Sequence, residues 1–117
     1  MGYVYYGNYA TYYEVARVES LRSLGLSYKK LEDQGIMLPV LENYSKFEAP
    51  AKYDDLLSVK LMVKKMPEVR MVFNYEIINE EEKLINLGET KLVFVNMKTG
   101  KPCEIPEDVK ALFLPFF

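Results

Sequence analysis

Any catalysis by this chain has to be built from carboxylates, phenols and backbone amides, because its 117 residues contain no histidine and a single cysteine, Cys103. Ser-His-Asp and Cys-His arrangements are excluded, and so are the commonest zinc ligand sets. Ten tyrosines remain, and Tyr3, Tyr5, Tyr6 and Tyr9 crowd the start of the chain. A phenol can hydrogen-bond a water or a carbonyl, but with an ordinary pKa of about 10 it is a poor base at neutral pH. The same four rings also read as a packed aromatic loop. Among the carboxylates, Asp54 and Asp55 are adjacent, and neighbours on a strand point to opposite faces, so they start a strand and shape a turn instead of flanking one bond. Lys64, Lys65 and Arg70 gather three cations around one strand connection, a candidate phosphate contact. The alternative is a charged edge that resists sheet aggregation. Lys98-Thr99-Gly100-Lys101 lacks the spacing of a phosphate loop and reads as a turn.

The elements that must position these groups follow from hydrophobic period. From Asn8 to Leu24 the spacing is helical, with Tyr9, Tyr13, Ala16, Ser20 and Leu24 on the expected inner face and Ala10, Arg17 and Leu21 flanking it. Small inner residues predict a close approach to a sheet. Asn8 suits the N-cap and Gly25 the C-terminal stop, while Glu14 with Arg17 and Glu19 with Arg22 fall at the spacing of helical neighbours. A short helix is expected over Ser27 to Gln34, ended by Gly35. Beyond it the period changes to two. Met37 to Phe47 forms an irregular strand broken near Pro39, and Leu57 to Val63, Val69 to Ile77 and Leu84 to Asn96 follow as strands. Met66-Pro67-Glu68 and Asn79 to Lys83 are turns, and a last helix begins near Pro106 and runs to about Phe113. One long helix followed by an antiparallel meander predicts an α+β fold. A ferredoxin-like arrangement would need a second long helix between strands, for which neither turn leaves room.

Length and composition predict one domain over residues 1–117, with half the residues apolar or aromatic. A net charge of −2 offers no excess of cations for nucleic acid. No apolar run approaches the roughly 20 residues of a membrane span. The lone cysteine forms no internal disulfide, and a cytoplasmic location is expected.

The segment Val4-Tyr5-Tyr6-Gly7-Asn8-Tyr9, followed by Tyr12-Tyr13-Glu14-Val15-Ala16-Arg17-Val18-Glu19-Ser20-Leu21-Arg22-Ser23-Leu24-Gly25, resembles the loop and central helix of the hotdog-fold acyl-CoA thioesterases. The branch is that of 4-hydroxybenzoyl-CoA thioesterase and the Tol-Pal-associated thioesterase. Later landmarks agree in order: Leu38-Pro39-Val40, Ala49-Pro50-Ala51 with Tyr53-Asp54-Asp55 and Leu57, Phe73 with Tyr75-Glu76-Ile77, Gly88 with Thr90, and Thr99-Gly100-Lys101-Pro102. The resemblance implies a hotdog fold, a long central helix wrapped by a curled antiparallel sheet.

It also implies a function, acyl-CoA hydrolysis to a carboxylic acid and CoA, with CoA carried by the substrate and no further cofactor or metal. In the family motif the catalytic aspartate stands three positions before a glycine, here Gly2, so that aspartate and a first strand are expected upstream of Met1 and the chain as given is expected to be impaired. The backbone amide of Tyr6 is the implied oxyanion donor, with Gly2 and Tyr5 beside it. Some relatives carry histidine at the Tyr6 position. Another hotdog branch uses a helix carboxylate, but in the branch resembled here the glutamate before Ala-Arg is not catalytic, which leaves Glu14 as a surface or interface residue or a substitute carboxylate. Lys64, Lys65 and Arg70 are the candidates for the CoA phosphates. A homodimer or homotetramer is expected. The alternative is a non-catalytic module binding acyl-CoA or acyl carrier protein. Hydratase chemistry is weaker, since it relies on histidine.

Overall fold

A computed structural model describes residues 8–52 and 55–117. The first element among the described residues is α1 (Asn8–Ser23), and it ends where Gly25 takes a positive φ of 86°, allowing the amides of Gly25 and Leu26 to fold back onto the carbonyls of Arg22 and Leu21. A short helix, α2 (Tyr28–Asp33), follows at once. Its N-cap Ser27 accepts from the Lys30 amide through its hydroxyl, and Leu31 anchors it in the core.

Among the described residues six strands come next: β1 (Ile36–Met37), β2 (Val40–Phe47), β3 (Ser58–Met62), β4 (Arg70–Ile78), β5 (Leu84–Val93) and β6 (Val95–Asn96). Helix α3 (Glu107–Phe113) follows, then a single 3-10 turn over Leu114–Phe116. Strands β2, β5, β4 and β3 lie in that order in an open antiparallel sheet, and β1 pairs with β6 in a separate two-stranded ladder. Pro39 separates β1 from β2, as its missing donor requires. In the β4–β5 hairpin the Asn79 side chain accepts from the amides of Glu81 and Lys83, and Glu82 takes φ 60°. The Lys98–Lys101 segment is a turn in which Asn96 Oδ1 accepts from the amides of Lys98 and Thr99.

The period-two residues of β4 divide as the sequence predicts: Met71, Phe73, Tyr75 and Ile77 are buried on the face that meets α1. The helix differs from expectation. Its buried line is Tyr9, Tyr13, Arg17 and Leu21, each four residues after the last, while Ala16 and Leu24 are only half-buried against the core. The expected inner face is thus turned by one residue, and Arg17 lies under the helix instead of beside it. The close approach comes from the sheet: a Cβ on Gly88 of β5 would lie 2.8 Å from Tyr13 Cε1 and closer still to the end of the ring. A missing side chain on the strand, not small residues on the helix, makes room for α1.

Candidate functional site

Helix α1 is 16 residues long and carries no acidic side chain in its first turn, so the first-turn amides and positive end of the dipole at Asn8 are not neutralised from within the helix. An electron-rich oxygen is favoured there. Tyr9 fixes this end to the sheet: it is buried, and its ring meets Tyr12 edge-on at 5.7 Å and Phe47 of β2 at 5.3 Å. Burial pushes the Tyr9 phenol up from its ordinary pKa, with Tyr12 and Tyr13 adding to the effect, so it stays neutral. The result is an aromatic wall beside a helix N-terminus, and Phe47 on that wall is half exposed.

Farther along α1, the helix and sheet meet through hydroxyls and amides. Strand register sets the partners: Gly88 pairs with Ser45 on one side and Tyr75 on the other, and Thr90 pairs with Asn43 and Phe73. Tyr13 descends over Gly88 between these neighbours and stacks on Tyr75, centroids 4.2 Å apart and planes within 12°. Its hydroxyl donates to Asn86 Oδ1 and lies 2.8 Å from Ser45 Oγ, while Asn86 Nδ2 donates to that same Ser45 oxygen at 2.8 Å. One turn on, Arg17 Nη1 donates to Tyr75 Oη at 3.0 Å and to Thr90 Oγ1 at 3.3 Å. The Tyr75 hydroxyl donates to Thr90 at 3.0 Å, and Thr90 donates to Asn43 Oδ1 at 2.7 Å.

Arg17 is 6% exposed, and no carboxylate lies within ion-pair distance of it among the described residues. Burial works against its charge, but Tyr75 and Tyr28 beside it outweigh that, and its pKa moves upward. The guanidinium stays charged. Burial likewise raises the pKa values of Tyr13 and Tyr75, although the hydrogen bonds from Ser45 and Asn86 to the first, and from Arg17 and Thr90 to the second, pull the other way.

Of the residues singled out in the sequence, Gly2, Tyr3, Tyr5, Tyr6 and Asp54 lie outside the described residues. Asp55 accepts from the Lys52 amide at 2.9 Å and shapes the turn before β3. Glu14 is exposed and does not pair with Arg17; Glu19 and Arg22 do meet, at 3.4 Å on the outer surface. Lys65 and Arg70 line one shallow cleft with Glu68, whereas Lys64 lines a separate depression beside Asn74 and Glu76. The buried Arg17 and its partners were missed in the sequence. The signal for them was the unbroken four-residue spacing from Tyr9 through Tyr13 and Arg17 to Leu21, facing Asn86, Gly88 and Thr90 at alternate positions of one strand.

Comparison with known proteins agrees with this geometry. Residues 1–113 match the profile of the thioesterase-like superfamily. A putative esterase of Aquifex aeolicus is 35% identical over 108 residues, covering 92% of this chain and 82% of the relative. The acyl-CoA thioester hydrolase YbgC of Escherichia coli is 32% identical over 112 residues, 96% of this chain and 84% of the relative. Among solved structures, the DHNA-CoA thioesterase of Staphylococcus aureus superposes with a TM-score of 0.88 at 35% identity, covering 99% of this chain and 80% of that one. With its long helix laid on an antiparallel sheet, the chain belongs to the thioesterase-like superfamily and has the hotdog fold.

Proposed function

We infer that the chain is an acyl-CoA thioesterase, hydrolysing a thioester to a carboxylic acid and CoA. The observation that carries this reading is the match, over 96% of the chain, to a relative named as an acyl-CoA thioester hydrolase. The dipole of α1 supports it physically. Water adds to the thioester carbonyl, the oxyanion that forms is stabilised by amides at the helix N-terminus, and the C–S bond breaks with CoA leaving as the thiol. The Tyr6 amide is the proposed oxyanion donor, with Gly2 and Tyr5 shaping the loop. The proposed base is an aspartate three positions ahead of Gly2. No cofactor is needed beyond the CoA that the substrate carries.

Lys65 and Arg70, which share a cleft, are the better placed of the three cations for CoA phosphates, with Lys64 next to them in sequence. The chain is proposed to work as a homodimer or homotetramer, and β2 supports this. Among the described residues it is a sheet edge, and its Val40, Leu41 and Tyr44 are between 43% and 59% exposed, a set of apolar side chains at that edge. A cytoplasmic location fits the lone cysteine, and among the described residues no helix is long and apolar enough to cross a membrane.

The test compares the chain as given with a form extended to carry aspartate three positions ahead of Gly2, and with the same form carrying asparagine there. Release of CoA from benzoyl, short-chain and medium-chain thioesters is followed. The aspartate form should exceed the other two by about 100-fold to 10,000-fold, the usual effect of a positioned acid–base group. Inactivity of the aspartate form with tight binding of CoA esters would replace hydrolysis by a binding role.

A further inference from the structure

Arg17 borders a cleft of about 460 Å³ between α1, α2 and the β1–β2 segment. The cleft has apolar walls, among them Leu31, Leu38 and Leu92, and Tyr28 stands in it next to Arg17. The guanidinium is unusual in its neighbours. A buried cation is ordinarily paired, because desolvating it without a counter-charge is costly. Here its Nη1 corner serves two neutral hydroxyls, the Tyr28 hydroxyl stands beside it as a further hydrogen-bonding group, and its Nε finds no partner among the described residues. An arginine offers five donors in a planar fork suited to a carboxylate. The seam with the sheet engages one corner of that fork, and no carboxylate lies within ion-pair distance of the rest among the described residues.

We propose that this cleft binds a monocarboxylate with an apolar body, its carboxylate meeting the Arg17 guanidinium, which has no carboxylate partner among the described residues. The choice of a single negative charge follows from Glu14 and Glu32, which also line the cleft and are exposed. Two carboxylates at the mouth repel a phosphate dianion more strongly than a monoanion. The apolar walls favour a hydrocarbon or aromatic body over a small inorganic ion. Two sources of such a group exist, a free carboxylic acid and the distal carboxylate of an acyl chain. Only the second rests on the thioesterase reading.

The experiment has two arms. In the first, hexanoate, benzoate and inorganic phosphate are titrated calorimetrically into the wild-type chain, Arg17→Lys, Arg17→Met and Met37→Trp. The last fills the cleft from an exposed wall position and leaves the guanidinium in place, so it keeps the test meaningful should the Arg17 variants fold poorly. Hexanoate or benzoate should bind the wild type, phosphate should not, and both Arg17→Met and Met37→Trp should weaken binding about tenfold or more, as loss of a charged hydrogen bond or of the space does. In the second arm, the aspartate-extended form is assayed with adipoyl-CoA and hexanoyl-CoA. A kcat/KM ratio that favours adipoyl-CoA and collapses in Arg17→Met identifies the acyl chain as the source. An unchanged ratio with retained acid binding identifies the free acid. Absence of any hydrolysis in the second arm counts against the thioesterase reading alone, since the first arm does not depend on it. Failure of the wild type to bind either acid, with no adipoyl preference, overturns the proposal, as does acid binding that Arg17→Met and Met37→Trp leave intact.

Discussion

Gly88→Ala is the sharpest perturbation of the helix–sheet contact. The added Cβ would stand 2.8 Å from Tyr13 Cε1 and nearer to the rest of the ring end, on a neighbour with little freedom to retreat. Tyr13 is stacked on Tyr75 on one side and tied to Ser45 and Asn86 at its hydroxyl. Overpacking of this kind costs about 1 to 3 kcal/mol. If the ring swings clear, it forfeits hydrogen bonds worth about 0.5 to 1.5 kcal/mol each. Replacing glycine within a strand returns about 0.5 to 1 kcal/mol of backbone entropy. By either route, less that return, the net expectation is a loss of about 1 to 2 kcal/mol. Urea unfolding followed by far-ultraviolet circular dichroism at fixed protein concentration would measure it, the fixed concentration being needed because association shifts apparent stability. The decisive comparison is a double-mutant cycle with Tyr13→Leu, whose shorter side chain leaves space over position 88. In that background Gly88→Ala should cost less than about 0.5 kcal/mol. A loss of the same size in both backgrounds would show that the substitution acts through the strand itself and would refute the close-contact account.

Tyr9, Tyr13 and Tyr75 all have pKa values raised by burial, so the folded state holds their protons more tightly than the unfolded chain does. Their contribution is whole below the unfolded value of about 10 and is lost as pH climbs through the folded values, so stability should fall steeply above about pH 10; unfolding midpoints and tyrosinate absorbance that show no such drop would contradict this. Tyr44→Lys together with Leu41→Lys on the exposed edge β2 should shift the sedimentation coefficient toward that of a monomer, whereas a wild-type chain already monomeric at micromolar concentration would remove the basis for the proposed assembly. Charge reversal at Lys65 and Arg70 should raise KM for an acyl-CoA about tenfold with kcat little changed, in line with losing contacts to a distant phosphate; an effect confined to kcat would place these cations elsewhere in the reaction.

The strands, the break at Pro39 and the turn residues were legible in the sequence because period-two alternation and the proline, asparagine and glycine positions are local signals, whereas the division of the expected Leu84 to Asn96 strand into β5 and β6, which pair in different sheets, was not. Met71, Phe73, Tyr75 and Ile77 needed no tertiary knowledge to be placed inward. The azimuth of α1 was less legible. Arg17 has the chemistry of a surface residue, and hydrophobic spacing alone favours Ala16 and Ser20 for the interior. Only the opposing strand reverses that preference, because Asn86, Gly88 and Thr90 present polar or absent side chains where a core strand normally presents apolar ones. A buried polar contact of this type is specified by two segments more than seventy residues apart, and neither declares it alone. Gly2, Tyr5 and Tyr6 lie outside the described residues, and their proposed roles rest on the family motif.

The hydroxyl and amide seam between α1 and the sheet has a consequence for how the chain reaches its native state. Apolar surfaces in contact tolerate sliding, since a leucine displaced by one turn still touches something greasy. A helix docked on this sheet one turn too far, or rotated by one residue, would instead carry the Arg17 charge into Phe73 or Ile77 and press the Tyr13 ring onto a strand position that has a side chain. Incorrect dockings are therefore penalised more heavily than the correct one is rewarded. The seam acts as a proofreading step in assembly: it adds little to the depth of the native well and raises the floor of its nearest competitors.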